Sequence, residues 1–305
     1  MTVLSEPVQT AAMLAYPALA REIASLLGDA TVQVPARLVQ ALPGGGSLFV
    51  MPALDARLAI TKVITFTPAN ADSGRSAIQG EVLVFDIATG ELRLVLDGPT
   101  VTARRTAAVS LLAAQRLAPN PAGPLLIVGA GAQGQAHLEA FAQGLGIREV
   151  RIASRTIESA SVLAVHARTL GLHAVAVNDP DRQLADCPLV VTCTPATGAV
   201  LHALPRDDAF VAAVGAFTPA MVELDPALCR HFAALGSVVV DTADARHEAG
   251  DLLQAGLDMT LFPDLRRVMI EAPRHLRGPV LFKSCGWAGW DLAAARCAID
   301  TLELS

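Results

Sequence analysis

A glycine-rich turn in the middle of the chain separates an apolar run from a run with helical spacing. Residues 125–128 are all apolar, residues 129–134 read GAGAQG, and residues 135–143 follow as a predicted helix. The pattern G-x-G-x-x-G between a strand and a helix lets backbone N–H groups approach a pyrophosphate at the helix N-terminus. The turn therefore predicts a βαβ unit that binds a dinucleotide, with a purely structural glycine turn as the alternative.

The segments after this turn alternate between short apolar runs and helical patterns. Such alternation is typical of a parallel sheet covered by helices on both faces, as in a Rossmann-type domain. The expected strands are residues 149–153, 173–177, 189–192, 210–214 and 237–241, and the expected helices are residues 157–170 and 226–235.

The first third of the chain has a different pattern, with strand-like runs separated by glycine turns. A helix is predicted over residues 7–27, ending at Gly28, and an alanine-rich helix over residues 102–117. Between them the pattern predicts a mostly antiparallel sheet. Its expected strands are residues 47–51, 58–66, 80–86 and 92–97, with turns at residues 43–46 and 89–90; a further strand at 280–283 and a helix from Asp291 close the chain.

Charge and composition exclude several classes of partner. The 305 residues include 23 basic and 29 acidic ones, a net charge of −6 without a basic cluster, so neither nucleic acid nor an anionic membrane is expected to bind. The longest uncharged stretch, residues 117–138, is interrupted by prolines and is not expected to span a membrane. Because no basic residue precedes Arg21, the start does not resemble a signal peptide, and we expect a cytoplasmic protein.

Cysteine and lysine usage narrow the chemistry. The five cysteines show neither CxxC nor Cys/His ligand spacing, so no metal site or disulfide framework is expected. Only two of the 23 basic residues are lysines, Lys62 and Lys283. An ammonium is a compact donor that can change its protonation state, which a guanidinium does not readily do. Lysine in this chain therefore indicates either a chemical role or a chance occurrence.

The end of the second strand of the βαβ unit indicates which dinucleotide is bound. NAD sites usually place an acid there, about 20 residues after the glycines. This chain has Ser154, Arg155 and Thr156 instead. A guanidinium and two hydroxyls suit a 2′-phosphate, so we predict NADPH, with Arg155 as an ordinary surface residue as the alternative. Thr192 and Thr194 follow another strand, where the cofactor crevice is expected.

Together the motifs resemble the ornithine cyclodeaminase/mu-crystallin family over essentially the whole chain. The matching segments are residues 44–46 and 51–53, the segment from Lys62 to Asn70, Thr102 with Arg105 and Thr106, and residues 129–134, 215–224 and 282–284. The resemblance implies an α/β homodimer with a Rossmann-type domain at residues 118–278. It also implies a mostly antiparallel α+β substrate and dimerisation domain at residues 1–117 and 279–305, completed by the C-terminal helix.

The resemblance also implies a set of site residues. Arg37 and Arg105 correspond to a pair that holds a substrate carboxylate, and Lys62 to a lysine that faces the substrate. A guanidinium fork suits a carboxylate because it can donate two parallel hydrogen bonds. The cofactor residues implied by the turn and by the resemblance are Gly129, Gly131, Ala132, Gln133, Gly134, Ser154, Thr192 and Ser284.

One departure from the family pattern bears on the activity. Cyclodeaminases carry an aspartate where this chain has Phe217, and phenylalanine cannot transfer a proton. Ornithine cyclisation is therefore not expected, and reduction of a preformed C=N bond remains. The closing segment from Lys283 to Asp291 is similar to that of the cyclic ketimine reductases of the family.

The resulting hypothesis is the reduction of a cyclic imino acid, Δ1-pyrroline-2-carboxylate or Δ1-piperideine-2-carboxylate, to L-proline or L-pipecolate. Arg105 and Arg37 would hold the carboxylate and Lys62 would supply the proton, with Met51 and Phe217 as apolar walls. NADPH is the expected hydride donor, and NADH is left open. The alternatives are an alanine-dehydrogenase-like or cyclodeaminase-like enzyme, or an NADPH-linked binding protein without catalysis.

Overall fold

The computed structural model describes residues 3–43, 45–271, 276 and 278–303. Gly44, part of the expected turn and of the family pattern, lies outside the described residues. The strands are β1 (Val3–Ser5), β2 (Leu38–Ala41), β3 (Ser47–Leu54), β4 (Leu58–Phe66), β5 (Ile78–Asp86), β6 (Leu92–Asp97), β7 (Leu125–Val128), β8 (Glu149–Ala153), β9 (His173–Val177), β10 (Leu189–Thr192), β11 (Thr197–Leu201), β12 (Phe210–Ala213), β13 (Val222–Leu224), β14 (Ser237–Val240) and β15 (Val280–Lys283). The α-helices are α1 (Pro7–Met13), α2 (Tyr16–Gly28), α3 (Gly98–Leu117), α4 (Ala132–Leu145), α5 (Ile157–Thr169), α6 (Pro226–Leu235), α7 (Gly250–Gln254), α8 (Leu265–Glu271) and α9 (Ala288–Glu303).

The chain forms two compact units, one of residues 1–106 and 287–305 and the other of residues 107–286. We expected the divisions at 117/118 and 278/279. The first division instead falls within α3, which is one continuous helix. The second falls after β15, because this strand is hydrogen-bonded to β12 and β14 of the second unit.

The first unit is a six-stranded sheet covered on one face by helices. The strand order is β1-β6-β5-β4-β3-β2, and all neighbours are antiparallel except β1 and β6, which confirms the mostly antiparallel sheet. Along β4, buried positions alternate with more exposed ones, so every second side chain faces the helices. Lys62 occupies one of these buried positions, between Ile60 and Ile64.

The predicted helix over residues 7–27 is wrong, because the chain forms α1 and α2 with a break at Leu14 and Ala15. Pro17 lies in the first turn of α2, where its missing N–H costs nothing. A proline disfavours the helical backbone conformation of the residue before it, so one uninterrupted helix is not favoured. The carbonyl of Met13 instead accepts hydrogen bonds from Cys297 and Thr301 of α9.

The second unit is a seven-stranded parallel sheet with strand order β14-β15-β12-β10-β7-β8-β9. Its central strands β7, β10, β12 and β15 are buried at every position, as expected for a sheet covered on both faces. The order of connection reverses between β7, which leads to β8, and β10 on its other side. Ligands bind at such a reversal, outside the carboxyl ends of the strands. The glycine turn after β7 lies at this edge.

Two further structural findings concern the described residues. None of their helices is both long and apolar enough to cross a bilayer. Nor do they bring together a group of His, Cys, Asp or Glu side chains suited to a metal ion.

Candidate active site

Lys62 of β4 is fully enclosed in the first unit. Its cross-strand neighbours are Met51 on β3 and Val82 on β5, which are both buried. The ammonium Nζ donates to Asp291 Oδ1 at 3.0 Å and lies 2.8 Å from Oδ2. The sequence predicted Lys62 and Met51 as substrate residues, and the register of the sheet makes them direct neighbours.

Asp291, in the first turn of α9, is the residue that the sequence reasoning missed. Its carboxylate is completely buried and also accepts a hydrogen bond from Nε of Arg105 at 3.2 Å. A carboxylate is favourable in the first turn of a helix because it opposes the positive end of the helix dipole. The available signal was a single acid within the otherwise apolar stretch from Trp287 to Ala295.

Burial sets the protonation of Lys62. Desolvation is the largest effect and lowers the pKa of its ammonium from 10.5 to about 8. The negative charge of Asp291 raises this pKa, whereas the positive charges of Arg105 and Arg37 lower it. Lys62 is therefore charged at neutral pH, yet loses its proton far more readily than an exposed lysine does.

The guanidinium of Arg105, on α3, is only partly used in hydrogen bonds to the described residues. Only Nε is used, on Asp291; with the described residues neither Nη1 nor Nη2 makes a hydrogen bond. The side chain as a whole is only 8% exposed. A fork with two free donors in a protected position suits a planar carboxylate. Arg37, directly before β2, is half-buried and near enough for its charge to act on Lys62.

Phe217 lies in the second unit, on the loop after β12. It is half-buried and packs against the apolar core of that unit. The side chains predicted to face the substrate are thus divided, with Arg37, Met51, Lys62 and Arg105 in the first unit and Phe217 in the second.

The glycine turn after β7 has the shape that a dinucleotide requires. Gly129 has φ +119°, and a Cβ there would lie 2.7 Å from the carbonyl oxygen of Cys193. A Cβ on Gly134 would collide with the carbonyl oxygen of Gly129, whereas one on Gly131 meets no protein atom within 4 Å. Gly131 and Ala132 are exposed at the start of α4, next to half-buried Gln133. This turn leaves open space in front of a helix N-terminus, which fits a pyrophosphate.

The segment after β8 presents an unpaired cation. Arg155 is exposed, and no described residue forms an ion pair or hydrogen bond with its guanidinium. Thr156 caps α5, its hydroxyl accepting from the backbone N–H of Ser159 at 3.3 Å. Ser154, at the end of β8, is half-buried. These residues fit a phosphate-bearing ribose, although the hydroxyl of Thr156 already accepts the hydrogen bond that caps α5.

The three remaining predicted cofactor residues differ in what their hydroxyls do. Thr192, at the end of β10, is completely buried and its hydroxyl contacts no hydrogen-bond partner among the described residues. Such an orphaned polar group at the cofactor edge fits a bound ligand. The hydroxyls of Thr194 and Ser284 donate within the protein, to Glu223 Oε1 at 3.0 Å and to Asp241 Oδ2 at 2.8 Å. Thr194 and Ser284 therefore shape the loops that carry them.

Sequence similarity to known proteins extends over nearly the whole chain. It is 38% identical over 312 residues to the Delta(1)-pyrroline-2-carboxylate reductase 2 of Burkholderia ambifaria, which covers 99% of this chain and 98% of that protein. It is 37% identical over 310 residues to the Delta(1)-pyrroline-2-carboxylate/Delta(1)-piperideine-2-carboxylate reductase of Azospirillum brasilense, with the same coverage of 99% and 98%.

The fold is shared with a solved structure at lower sequence identity. The Delta(1)-pyrroline-2-carboxylate reductase of Thermococcus litoralis, in complex with NADH and L-proline, matches with a TM-score of 0.86 at 21% identity, covering 99% of this chain and 98% of that one. The sequence model of the ornithine cyclodeaminase/mu-crystallin family matches residues 10–304. The chain belongs to the ornithine cyclodeaminase/mu-crystallin family.

Proposed function

We propose that this chain reduces the C=N bond of a cyclic imino acid, Δ1-pyrroline-2-carboxylate or Δ1-piperideine-2-carboxylate, with NADPH. The observation that carries the proposal is the buried group of Lys62, Asp291 and Arg105. It combines an ammonium that can give up a proton with a guanidinium fork that has two free donors. The similarity to two Δ1-pyrroline-2-carboxylate reductases supports the same class of substrate.

Arg105 holds the substrate carboxylate through Nη1 and Nη2, the two donors that Asp291 leaves free. Each hydrogen bond of this charged kind contributes about 1.5–3 kcal/mol. Arg37 adds a second positive charge that acts on Lys62. Met51 forms an apolar wall beside Lys62, and Phe217 is proposed as a further apolar contact.

Lys62 donates the proton that makes the imine electrophilic. When bound, the dihydronicotinamide supplies the hydride for C2 of the ring. The lone pair of the imine nitrogen takes the proton of Lys62 to form the N–H bond. The hydride pair forms the C–H bond at C2, and the C=N π pair becomes the new lone pair on nitrogen. Neutral Lys62 then regains a proton from solvent. A pKa of about 8 suits this task, because the group is charged at neutral pH and still acidic enough to donate. Asp291 keeps Nζ in place while its proton is transferred.

The open space at Gly131, the unpaired Arg155 and the buried hydroxyl of Thr192 together support a nicotinamide dinucleotide. We assign the 2′-phosphate of NADPH to Arg155, with Ser154 beside it. No acid stands at the end of β8 to repel a phosphate. NADH is expected to work less well, because it lacks the group that Arg155 would bind.

We propose that a second copy of the chain binds to the outer face of the sheet in the first unit. The register aligns Leu4, Val95, Leu83, Thr61 and Pro52 in one row across five strands on the face away from the helices. Leu4 is 73% exposed, and a row in which four of five side chains are apolar is costly to leave in water. We expect a native mass of two copies in sedimentation, and of one copy for the variant Leu83→Glu. A native mass of one copy for the unchanged protein would exclude the dimer.

We propose that the protein is cytoplasmic because of the state of its thiols. All five cysteines are free, and four of them are buried, which suits a reducing compartment. Cell fractionation with an antibody to the protein checks this assignment.

The direct test is NADPH consumption by the purified protein with each cyclic imine and, separately, with pyruvate plus ammonia. We expect oxidation of NADPH with the cyclic imines alone. Turnover only with pyruvate and ammonia would instead indicate an amino-acid dehydrogenase, and ammonia release from L-ornithine a cyclodeaminase. Tight NADPH binding without turnover on any of these would indicate a binding protein.

A further inference from the structure

Three charged residues of the second unit are linked by buried hydrogen bonds. Lys283, Asp251 and Glu223 are each at most 1% exposed. Nζ of Lys283 donates to Asp251 Oδ2 at 2.6 Å. Oδ1 of Asp251 accepts from the backbone N–H groups of Glu223 and Leu224, at 2.6 and 2.9 Å. The second lysine of the chain thus anchors a carboxylate that fixes the strand β13.

The carboxylate of Glu223 joins two loops. Its Oε1 accepts from the backbone N–H and the hydroxyl of Thr194, at 2.6 and 3.0 Å. Its Oε2 accepts from the backbone N–H groups of Gly215 and Ala216, at 2.7 and 3.2 Å. Thr194 follows β10 and Gly215 follows β12, which are neighbouring parallel strands. One side chain therefore links the loops that follow the carboxyl ends of two central strands.

Two glycines show how closely these loops fit together. A Cβ on Gly215 would collide with the backbone of Thr194 and lie 2.5 Å from Glu223 Oε1. A Cβ on Gly250, at the start of α7, would collide with the carbonyl oxygen of Met221 and lie 2.6 Å from that of Thr218. The arrangement is built from backbone-to-backbone contacts, so the loops cannot shift independently of Glu223.

Four donors facing one carboxylate favour its ionised form. Burial raises the pKa of Glu223, while the positive charge of Lys283 and the backbone donors oppose this effect. A protonated Glu223 would point its own proton at one of these donors. Burying two acids and one lysine is unfavourable unless each charge is well partnered. If this space only had to be filled, apolar side chains would fill it at a lower cost in free energy.

We infer that Glu223, fixed by Asp251 and Lys283, is a positioning residue that shapes the loops after β10 and β12 to receive the nicotinamide half of the dinucleotide. The inference rests on the proposed function only for the identity of that ligand. In open α/β sheets the ligand lies outside the carboxyl ends of the strands. The orphaned hydroxyl of Thr192, at the end of β10, lies at the same edge, two residues before Thr194.

The test compares two ligands that share one half of the dinucleotide. Adenosine 2′,5′-bisphosphate carries the adenosine half, and NADPH carries both. In Glu223→Gln the amide NH₂ meets backbone N–H groups, so the loops lose part of their support. We expect the Kd for NADPH to rise about tenfold or more, because charged hydrogen bonds to Glu223 are lost. The Kd for the bisphosphate should stay within about twofold of the unchanged protein's, a difference of about 0.4 kcal/mol.

Leu228→Ala is the matched control, because Leu228 is buried in the same core but contacts neither loop through hydrogen bonds. It should lower the Tm and leave both affinities unchanged. Glu223→Asp, which keeps the charge but shortens the reach, is the second variant if the glutamine form does not fold. Folded Glu223 variants that bind NADPH normally would overturn the positioning role. Folded Glu223 variants that lose affinity for both ligands equally would also overturn it, while leaving the cofactor assignment intact. An unchanged protein that binds neither ligand would overturn it together with the cofactor assignment.

Discussion

The charge of Lys62 is tolerated in a buried position because Asp291 accepts its hydrogen bond at Oδ1 and also forms an ion pair with it through Oδ2. The positive charges of Arg105 on α3 and of Arg37 before β2 oppose the charge of Lys62. The balance between one carboxylate and three cations gives the group a positive excess. A substrate carboxylate would complete it, which is the physical reason for assigning an anionic imine to this place.

Asp291→Asn removes the only negative charge acting on Lys62 among the groups named above. The pKa of Lys62 should then fall below about 8, because burial, Arg105 and Arg37 all still lower it. Because the proposed mechanism needs protonated Lys62, we expect the alkaline limb of the kcat profile to move to lower pH. Activity near pH 8 should drop about tenfold or more, and activity near pH 6 by less.

The profile of kcat against pH measures this shift. Asp300→Asn is the control, since Asp300 lies on the same helix and pairs with exposed Arg57. An unchanged alkaline limb in folded Asp291→Asn would mean that Asp291 does not act through Lys62.

Arg105→Lys keeps the charge of Arg105 but loses the fork. We expect the KM for the imine to rise about 10- to 100-fold, because one of two parallel charged hydrogen bonds is lost. The KM for NADPH should not change. Initial-rate kinetics check both values, with Arg116→Lys at the exposed end of the same helix as control. An unchanged imine KM would remove Arg105 from the substrate site.

At the scale of elements, we expect the junction of β8 and α5 to determine the choice of cofactor. Arg155→Ala should raise the KM for NADPH about tenfold or more and leave that for NADH nearly unchanged, because only NADPH carries the 2′-phosphate. The ratio of kcat/KM for the two cofactors measures this preference. Arg148→Ala, an exposed arginine just before β8, is the control. A constant ratio would place the 2′-phosphate elsewhere.

Elements bounded by strong turn signals could be predicted from the sequence, and others could not. The bounds of β4, β7 and β10 are as predicted, since each is a run of apolar or β-branched residues between turns, interrupted only by Lys62 in β4. The short strands β11 and β13 have no such pattern of their own, because they are defined by pairing with each other. The helix α3 begins at Gly98, before the predicted start, since propensity does not mark its first turn.

The candidate site was predictable where a local motif carries the signal. Lys62, Arg105 and Gly129 belong to such motifs. Asp291 does not, because its partners Lys62 and Arg105 lie 229 and 186 residues away in sequence. Only folding brings them together, and no spacing rule connects them. For the same reason the role of Lys283 became visible only through its contact with Asp251, 32 residues away.

On the scale of the whole molecule, each unit contains one lysine, and both lysines are buried against a carboxylate. Arginine takes the exposed positions instead, as at Arg155 and Arg182. The contrast supports a chemical or architectural reason for each lysine.

Stability against acid should depend on His137 of α4. Its ring is buried and neutral, with Nδ1 2.8 Å from the carbonyl oxygen of Gln133 and Nε2 3.0 Å from the hydroxyl of Ser110. Burial lowers its pKa from 6.5 to about 4. Between these values the unfolded chain binds the proton and the folded one does not, so stability falls as the pH drops through this window, by about 3 kcal/mol in total.

His137→Leu should flatten this dependence while costing about 1–2 kcal/mol at neutral pH for the lost hydrogen bonds. Urea unfolding at several pH values measures both effects. Exposed His173, changed to Gln, should leave the dependence as it is. If His137→Leu retained the full loss between about pH 6.5 and pH 4, another group would be responsible.

The proton donated by Lys62 is the central claim, and a substrate that needs no proton tests it most directly. N-methyl-Δ1-pyrrolinium-2-carboxylate is already cationic at nitrogen, whereas Δ1-pyrroline-2-carboxylate must be protonated. For Lys62→Met we predict that kcat falls about 100-fold or more on the second compound and less than about fivefold on the first. Equal losses on both compounds, or no loss on either, would contradict the assignment of Lys62 as the proton donor.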